Sequence, residues 1–165
     1  MSQTDSPASR PAILFVCLGN ICRSPLAEAA LRHEAARAGF DVLVDSAGTG
    51  SWHIGNAPDP RARAEALRHG IDISSYQARQ VGADDFDRFD LIVAMDNSNL
   101  GNLRRLAPSR PGGARASLSL MLDHVPGMAG RDVEDPYFGG PEGFVTTWEQ
   151  VTAGARGLIA ALQKA

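Results

Sequence analysis

The sequence predicts an α/β domain in which a four-stranded parallel sheet carries helices on both faces. Three observations lead to this prediction. The chain has 165 residues, which is the length of one domain. Hydrophobic residues make up 44% and charged residues 21% of it, as is typical of a globular protein. Short apolar runs alternate with helical segments, and this order produces βαβ units and therefore a parallel sheet.

The first half of the chain predicts strand, helix, strand and helix in that order, over residues 12–16, 26–38, 42–44 and 61–69. The first run, AILFV, has the continuous apolar character of a parallel strand that is buried on both faces. Pro25 marks the beginning of the first helix, because proline is favoured in the first helical turn. Gly39 and Gly70 follow the two helices, where a glycine commonly ends a helix. A Gly-rich loop over 47–60 precedes the second helix.

The second half predicts the same alternation, over residues 91–95, 98–106, 118–122 and from 144 to the C-terminus. The run LIVAM at 91–95 is apolar throughout, like the first strand. Residues 130–143 are rich in Asp, Pro and Gly and predict a loop. The last helix is predicted from apolar residues at helical spacing, namely Phe144, Trp148, Val151, Ala155, Leu158, Ile159 and Leu162.

Charge and hydropathy exclude several classes of protein. The net charge of −3 gives the chain no overall attraction to nucleic acid or to an anionic membrane. Mean hydropathy is −0.15, and no apolar run approaches the roughly 20 residues that a membrane span needs. Residues 1–10 are polar and lack the apolar region of a secretory signal. We therefore expect a disordered tail over 1–10, one domain over 11–165, a cytoplasmic location and a monomer.

The segment CLGNICRSP, which begins at Cys17, carries the chemistry of this sequence. It lies between the first strand and the first helix, where inward-pointing backbone N–H groups and the helix N-terminus form a site for an anion. Gly19 permits an unusual backbone conformation, and Asn20 tolerates the left-handed region. Arg23 offers a planar fork for two oxygens of a phosphoryl group. The thiol of Cys17 is expected to be a reactive thiolate, to which Ser24 donates a hydrogen bond.

The whole chain contains two cysteines, Cys17 and Cys22, and both lie in this segment. Two cysteines so close together do not form a disulfide framework, and no set of cysteines and histidines has the spacing of a zinc site. Two interpretations of Cys22 stay open. It is either a structural residue or a redox partner that forms a disulfide with an oxidised Cys17.

The segment FVCLGNICRSP resembles the phosphate-binding loop of the low-molecular-weight protein tyrosine phosphatases. The resemblance runs from about Ala12 to the C-terminus and includes, in order, DSAGTGSW from Asp45, PDPR from Pro58, ARQ from Ala78, MDNSN from Met95 and EDPY from Glu134. Several phosphatase folds share a bare C-x5-R. Its place near the N-terminus, together with the distant Asp-Pro-Tyr, is specific to this family.

The resemblance implies a protein tyrosine phosphatase whose phosphate-binding loop follows the first strand. Cys17 would be the nucleophile that becomes a phosphocysteine, and Arg23 would bind the transition state. Asp135 would protonate the leaving phenolate and then act as a base toward water. The other loop residues would be Leu18, Gly19, Asn20, Ile21, Cys22 and Ser24.

Further roles are implied by the same resemblance. The scaffold under the loop would be Asn20, Ser24 and Ser46. The walls of the substrate pocket would be Leu18, Ile21, Trp52 and Tyr137. The expected partners are a phosphotyrosine-containing protein and inorganic phosphate or a similar oxyanion in the loop, with no metal, no cofactor, no nucleic acid and no membrane.

Some positions depart from the family pattern or have two interpretations. Phe138 stands where the family often has a second tyrosine, and Tyr76 stands where some members have a histidine. Asp96 either orients Arg23 or caps the helix that follows it. Trp52 is either a pocket wall or a core residue.

Three other functions are alternatives to phosphotyrosine hydrolysis. An arsenate reductase needs thiols that relay a disulfide, and the chain has none beyond Cys22. A binding module for phosphopeptides would not need a nucleophile, an arginine and an acid together. An arginine-phosphate phosphatase is the remaining alternative, and Ile21, which is apolar and β-branched, suits an aromatic ring better than a guanidinium.

Overall fold

A four-stranded parallel sheet with the strand order β2-β1-β3-β4 lies at the centre of the molecule. This computed structural model describes residues 10–109 and 111–164. Its strands are β1 (Ala12–Cys17), β2 (Leu43–Gly48), β3 (Leu91–Ala94) and β4 (Ser117–Leu120). β1 pairs in parallel with β2 on one side and with β3 on the other. The predicted fold class is confirmed, whereas most of the predicted tail, residues 1–9, lies outside the described residues.

Helices cover both faces of this sheet. They are α1 (Arg23–Ala38), α2 (Pro60–Arg68), α3 (Asp85–Arg88), α4 (Asn97–Leu106) and α5 (Glu142–Lys164). Side chains of β1 alternate between two cores, since successive residues of a strand point to opposite faces. Ile13 and Phe15 pack in the core that contains α1, α2 and α5. Leu14 and Val16 pack in the other core with α3 and α4.

Four details differ from the sequence prediction. β2 continues to Gly48 because its polar residues Asp45 and Ser46 find partners, Arg79 and Glu28, that the sequence pattern does not reveal. The predicted strand at 118–122 ends at Leu120, where the Asp123 carboxylate accepts a hydrogen bond from the Leu120 N–H and a 3₁₀ helix follows over Met121–His124. α3 was not predicted, and α1 begins at Arg23, before Pro25.

The carboxyl end of β1 places the chemically active segment at the edge of the sheet. Residues 18–22 connect β1 to α1, and they pack against the end of β2 at Gly48. A Cβ at Gly48 would lie 2.7 Å from the carbonyl oxygen of Leu18, so a side chain there would displace the loop. The sheet edge therefore requires a glycine where it touches the loop.

Gly157 and Gly101 differ in the space around them, which gives a prediction about stability. A Cβ at Gly157 in α5 would overlap the carbonyl oxygen of His124, whereas a Cβ at Gly101 in α4 would have only Arg105 Nη1 nearby, at 3.9 Å. Gly157→Ala should lower the free energy of unfolding by about 1–3 kcal/mol through overpacking. Gly101→Ala should raise it by up to about 1 kcal/mol, because alanine favours helix. Urea denaturation measures both, and an equal effect of the two variants would contradict the packing of α5 against His124.

Candidate active site

The thiol of Cys17 lies at the end of β1 and is almost fully buried. Its Sγ atom is 3.3 Å from the backbone nitrogen of Asn20 and 3.0 Å from the Ser24 Oγ. The Asn20 N–H donates to the sulfur, and the Ser24 hydroxyl is placed to donate as well. These two contacts hold the Cys17 sulfur at the centre of the loop.

Asn20 holds the loop in its conformation. Its φ of 60° lies in the left-handed region, and no other described residue except glycine has a positive φ. The side-chain Nδ2 donates to Ser24 Oγ at 2.8 Å and to Ser46 Oγ at 3.0 Å. The Oδ1 accepts from the backbone nitrogen of Arg79 at 3.0 Å. The prediction for Asn20 is confirmed in its backbone, and its side chain contacts the two other residues predicted to form the scaffold.

Gly19 does not have the unusual backbone conformation that the sequence predicted. It is not among the residues with a positive φ. A Cβ at Gly19 would instead lie 3.0 Å from the Cδ2 atom of the His53 ring. The His53 ring therefore approaches Gly19 closely, and it lines the same cavity as the loop.

A second layer of buried polar groups supports the scaffold. Ser46 donates from Oγ to Glu28 Oε1 at 2.7 Å, and Arg32 donates to Glu28 Oε2 at 2.8 and 3.1 Å. Burial raises the pKa of Glu28 above its ordinary value, while the hydrogen bonds from Ser46 and Arg32 oppose this rise. Tyr76 is partly buried against the same core, and burial followed by the charge of Glu28 raises its pKa. The sequence analysis did not identify Glu28, although a glutamate in an alanine-rich buried helix is an available signal.

Arg23 is buried, and one of its terminal nitrogens is fixed from two sides. Nη1 donates to Asp96 Oδ2 at 2.8 Å and to the carbonyl oxygen of Val133 at 2.9 Å. Nη2 lies 3.6 Å from Asp135 Oδ2. Burial opposes the charge of Arg23, but attraction to Cys17, Asp96 and Asp135 outweighs it, so its pKa is raised. The guanidinium is therefore charged and held in one orientation.

Asp96 has both of the roles that the sequence left open. Its Oδ2 accepts from Arg23, and its Oδ1 accepts from the backbone nitrogen of Asn99 at 2.7 Å as the N-cap of α4. One carboxylate thereby joins the arginine to the beginning of a helix. The resulting position of Arg23 depends on the end of β3, which lies beside β1 in the sheet.

Asp135 lies in the loop before α5 and reaches the same cavity as Cys17 and Arg23. Its Oδ1 accepts a hydrogen bond from the backbone nitrogen of Tyr137 at 3.1 Å. Val133 anchors the start of this loop, because its N–H donates to the Met95 carbonyl oxygen at 2.8 Å. The loop residues 131–136 thus run close to the ends of both α1 and β3.

Arg61 connects this acid loop (residues 131–141) to the phosphate loop. Its Nη2 donates to the carbonyl oxygen of Tyr137 at 2.9 Å, and its Nη1 donates to that of Gly139 at 2.9 Å. Asp59 accepts three hydrogen bonds from Arg61, and the Asp59 N–H donates to the carbonyl oxygen of Ile21 at 2.8 Å. The motif PDPR was noted in the sequence, but the role of its arginine was not predicted.

The cavity above Cys17 has a volume of about 230 Å³. The four residues predicted as pocket walls all line it: Leu18, Ile21, Trp52 and Tyr137. Trp52 is 69% exposed, which excludes the alternative that it is a core residue. Phe138 also lines the cavity and is 90% exposed, a role that the sequence analysis did not assign. The walls are largely apolar, and the polar groups gather at the base.

Cys22 is buried and lines the cavity beside Cys17. Burial raises the pKa of the Cys22 thiol far above its ordinary value, and the negative charges of Asp59 and Cys17 add to this effect. Cys22 is therefore a neutral thiol at physiological pH. Within the described residues, the sulfur of Cys17 has hydrogen-bond partners in Asn20 and Ser24, and the sulfur of Cys22 has none.

Neither a metal cluster nor a membrane span is found in residues 10–109 and 111–164. No group of three or more histidine, cysteine, aspartate or glutamate side chains there could hold a metal ion. Every helix in these ranges is too short or too polar to cross a membrane.

Comparison with known proteins identifies the family. A family model described as low molecular weight phosphotyrosine protein phosphatase matches residues 12–165. The chain belongs to this family. Its members are hydrolases of the protein-tyrosine-phosphatase class, and this phosphatase is an enzyme of that class. The suspected resemblance is confirmed.

Three relatives show how closely this phosphatase matches other members. A low molecular weight protein-tyrosine-phosphatase of Streptomyces coelicolor is 46% identical over 156 residues, which are 92% of this chain and 93% of the relative. The crystal structure of YfkJ from Bacillus subtilis has a TM-score of 0.86 and 40% identity, and the match covers 96% of this chain and 98% of that one. The crystal structure of DARP, a Drosophila arginine phosphatase, has a TM-score of 0.83 and 36% identity, and the match covers 91% of this chain and 96% of that one.

Replacing Arg61 should loosen the acid loop of this phosphatase. Arg61→Met removes the donors to the carbonyl oxygens of Tyr137 and Gly139 and keeps an unbranched side chain. We expect faster amide hydrogen exchange over residues 135–143 and a several-fold lower kcat toward a phosphotyrosine peptide, because the loop is no longer held over the cavity. Arg63→Met is the matched control, since Arg63 lies in the same helix and donates to the carbonyl oxygen of Pro58 instead. The same exchange rates in both variants would show that the loop is held by other contacts.

Proposed function

We propose that the protein hydrolyses phosphotyrosine in protein substrates through a phosphocysteine intermediate, and that residues 11–165 form its catalytic domain. The observation that carries this proposal is the meeting of Cys17, Arg23 and Asp135 at one cavity. A nucleophile, a transition-state cation and a proton donor are the three groups that phosphoryl transfer to a thiol needs. Asp135 comes from a loop far along the chain, so only the fold brings it to the other two.

In the first step the Cys17 thiolate attacks phosphorus and the bond from phosphorus to the tyrosyl oxygen breaks. The electron pair of that bond goes to the phenolate, and Asp135 supplies the proton that makes it a neutral phenol. The proton is needed because tyrosine has a pKa of about 10 and leaves poorly as an anion. Two observations support this role: Asp135 lines the cavity, and its carboxylate accepts a hydrogen bond from the Tyr137 N–H.

Arg23 and the loop backbone support the transition state. Since Nη1 is used by Asp96 and Val133, the other donors of the guanidinium, on Nε and Nη2, have no hydrogen-bond partner in the described residues and are available for two phosphoryl oxygens. The N-terminus of α1 adds the positive end of a helix dipole. These groups are already oriented, so little reorganisation is needed as charge develops.

In the second step a water molecule attacks the phosphocysteine. Asp135, now a carboxylate, takes the proton of the water, and the bond from phosphorus to sulfur breaks. Ser24 and the Asn20 N–H stabilise the Cys17 thiolate that leaves. Inorganic phosphate remains in the loop until it dissociates. The cycle uses no cofactor and no metal, and it needs a reducing compartment such as the cytoplasm to keep the thiol available.

The shape of the cavity supports a tyrosyl rather than an arginyl substrate. Its walls include the apolar and aromatic side chains of Leu18, Ile21, Trp52 and Tyr137, which suit the packing of an aromatic ring. The guanidinium of phosphoarginine would instead need several hydrogen-bond acceptors along those walls. The similarity to DARP keeps phosphoarginine as the second candidate. Comparing kcat/KM for phosphotyrosine, phosphoserine and phosphoarginine peptides of one sequence decides between them.

Cys17→Ser should abolish turnover. A serine hydroxyl is not ionised at neutral pH, so the nucleophile is lost while the loop and Arg23 remain. We expect a loss of about 10⁴-fold or more in kcat toward p-nitrophenyl phosphate. Phosphate binding, measured by calorimetry, should stay close to that of the wild type. Substantial hydrolysis by this variant would overturn the assignment of Cys17.

Asp135→Asn should slow the reaction in a way that depends on the leaving group. General acid catalysis contributes about 10²- to 10⁴-fold, and the loss should be large for phenyl phosphate and small for activated aryl phosphates. The measurement is kcat across phenyl phosphates of graded leaving-group pKa. Glu134→Gln and Asp132→Asn are neighbouring controls and should show no such slope. A uniform loss across the series, or a larger effect of either neighbour, would place the proton donor elsewhere.

We also propose that Cys22 protects the nucleophile as its redox partner. Peroxide oxidises the Cys17 thiolate to a sulfenic acid, and the Cys22 sulfur then attacks the Cys17 sulfur, forming a disulfide and releasing water. Oxidation removes the negative charge of Cys17, which is one of the causes that raise the pKa of Cys22. Both sulfurs are buried and line the same cavity, which supports a disulfide between them.

Cys22→Ser tests this role. The variant should hydrolyse p-nitrophenyl phosphate, since its thiol takes no part in the proposed reaction. After peroxide treatment it should lose the recovery by dithiothreitol that the wild type shows, because further oxidation of the sulfenic acid is no longer prevented. Mass spectrometry of the oxidised wild type should find one disulfide. Full recovery of the variant would make Cys22 a structural residue.

A further inference from the structure

A second cavity continues the catalytic one beyond Leu18 and Trp52. These two residues line both cavities, so they form a shared wall. The second cavity, which we call the α4 groove, has a volume of about 270 Å³ and is further lined by Thr49, Gly50, Asn102, Arg105 and Leu106. A peptide whose phosphotyrosine fills the catalytic cavity would have to place neighbouring residues against such surfaces.

We propose that the α4 groove binds an acidic side chain close to the phosphotyrosine in the protein substrate, with Arg105 as the residue that selects it. This proposal rests on the proposed function and names the class of substrate sequence that the enzyme prefers. The occupant is a glutamate or aspartate within about three residues of the phosphotyrosine, a distance that an extended chain spans at about 3.3–3.6 Å per residue.

The charge of Arg105 carries the argument. The residue is exposed at the last turn of α4, and its guanidinium hydrogen-bonds to the side-chain oxygen of Asn102. No carboxylate in the described part of the chain lies within ion-pair distance of it. Most other arginines described here are paired with a carboxylate, as Arg79 is with Asp85. Arg105 thus faces the groove with an uncompensated positive charge.

A third cavity, which adjoins the catalytic cavity at Asp135 and not at Leu18 and Trp52, has charged side chains that are mainly negative. It shares Asp135 with the catalytic cavity and is also lined by Asp132 and Glu134, against one arginine, Arg131. An acidic substrate residue would be repelled on that side. The α4 groove contains no carboxylate among its lining residues. The two neighbouring cavities therefore carry charges of opposite sign, and we expect an acidic substrate residue to bind at the positively charged α4 groove.

The apolar parts of the groove suit the stem of such a side chain and the adjoining backbone. Leu106 is 47% exposed and Trp52 is 69% exposed, although both are large hydrophobic residues. Thr49 also lines the groove, and its hydroxyl is buried without a hydrogen-bond partner in the described residues. Exposed apolar surface around a cation, beside an unsatisfied hydroxyl, is typical of a binding surface rather than of a solvated helix end.

The simpler explanation of Arg105 is that its positive charge stabilises the C-terminal end of α4 by interacting with the helix dipole. Arg104 is a matched control for this explanation, because both arginines lie in the last turn of α4. Arg104 is exposed like its neighbour, but it does not line the groove. If total charge or the helix dipole caused the preference for an acidic substrate, replacing either arginine would change it equally. If the α4 groove causes it, only the replacement of Arg105 will change it.

The experiment measures kcat/KM for pairs of phosphotyrosine peptides that differ by Glu or Gln at one position, scanned over three residues on either side. We expect the wild type to prefer Glu by about two- to fivefold at one or more positions, which is the strength of an exposed ion pair. Arg105→Gln should bring this ratio close to 1, Arg105→Lys should keep part of it, and Arg104→Gln should leave it unchanged. The preference should weaken at high salt, because exposed charges are screened.

The outcomes distinguish a failure of the proposed α4 groove from a failure of the proposed phosphatase reaction. Hydrolysis of p-nitrophenyl phosphate, which has no flanking residue, reports the reaction without the groove. Wild-type protein that fails to hydrolyse it would overturn the proposed function. Hydrolysis with no preference for Glu at any position, or an equal loss of preference in Arg104→Gln and Arg105→Gln, would overturn the α4 groove.

Discussion

Asn20 turns the chain with a φ of 60°, and its side chain joins the phosphate loop to three other parts of the molecule. Its amide donates to Ser24 and Ser46 and accepts from the backbone of Arg79. A loop whose N–H groups point inward has given up the hydrogen bonds of a strand or a helix, so it needs side-chain partners to hold it. The position of the Cys17 sulfur against the Asn20 N–H depends directly on this arrangement. Binding of an anion by the inward-pointing N–H groups therefore depends on a phosphate loop that Asn20 already holds in its conformation.

Two arginines then attach the acid loop to this rigid part. Arg23 reaches the carbonyl oxygen of Val133, and Arg61 reaches those of Tyr137 and Gly139. Both arginines are themselves held by carboxylates, Asp96 and Asp59. The acid loop has no secondary structure of its own before α5, so these contacts and the burial of Val133 locate Asp135 relative to Cys17. Charge-assisted hydrogen bonds are well suited to this purpose because they are short and directional.

Much of the fold and of the site could be predicted from local patterns. The apolar runs of β1 and β3 appear where they were predicted, and so do the glycine at the end of α1 and the left-handed Asn20. Local patterns fail where a polar residue is satisfied by a distant one. The predicted β2 was too short, because the contact of Ser46 with Glu28 in α1 is not visible in the local pattern. The predicted strand at 118–122 included the first two residues of the 3₁₀ helix, because the contact of Asp123 with the Leu120 N–H is not visible there either. The prediction for Gly19 concerned its backbone, whereas the structure shows the ring of His53 close to it, a contact with a distant residue.

The sequence by itself determined the chemistry: which residues carry a thiol, a guanidinium and a carboxylate, and that the segment from Cys17 to Pro25 lies between a buried strand and a helix. Only the tertiary structure decided how these groups meet. The contact of Arg61 with Tyr137, that of Asp96 with Arg23, and the wall shared by Leu18 and Trp52 all join loops and helix ends from distant parts of the chain. The strand order β2-β1-β3-β4 brings those loops together, and no periodicity within a single segment encodes it, because the neighbours of each strand are set by packing between distant parts of the chain.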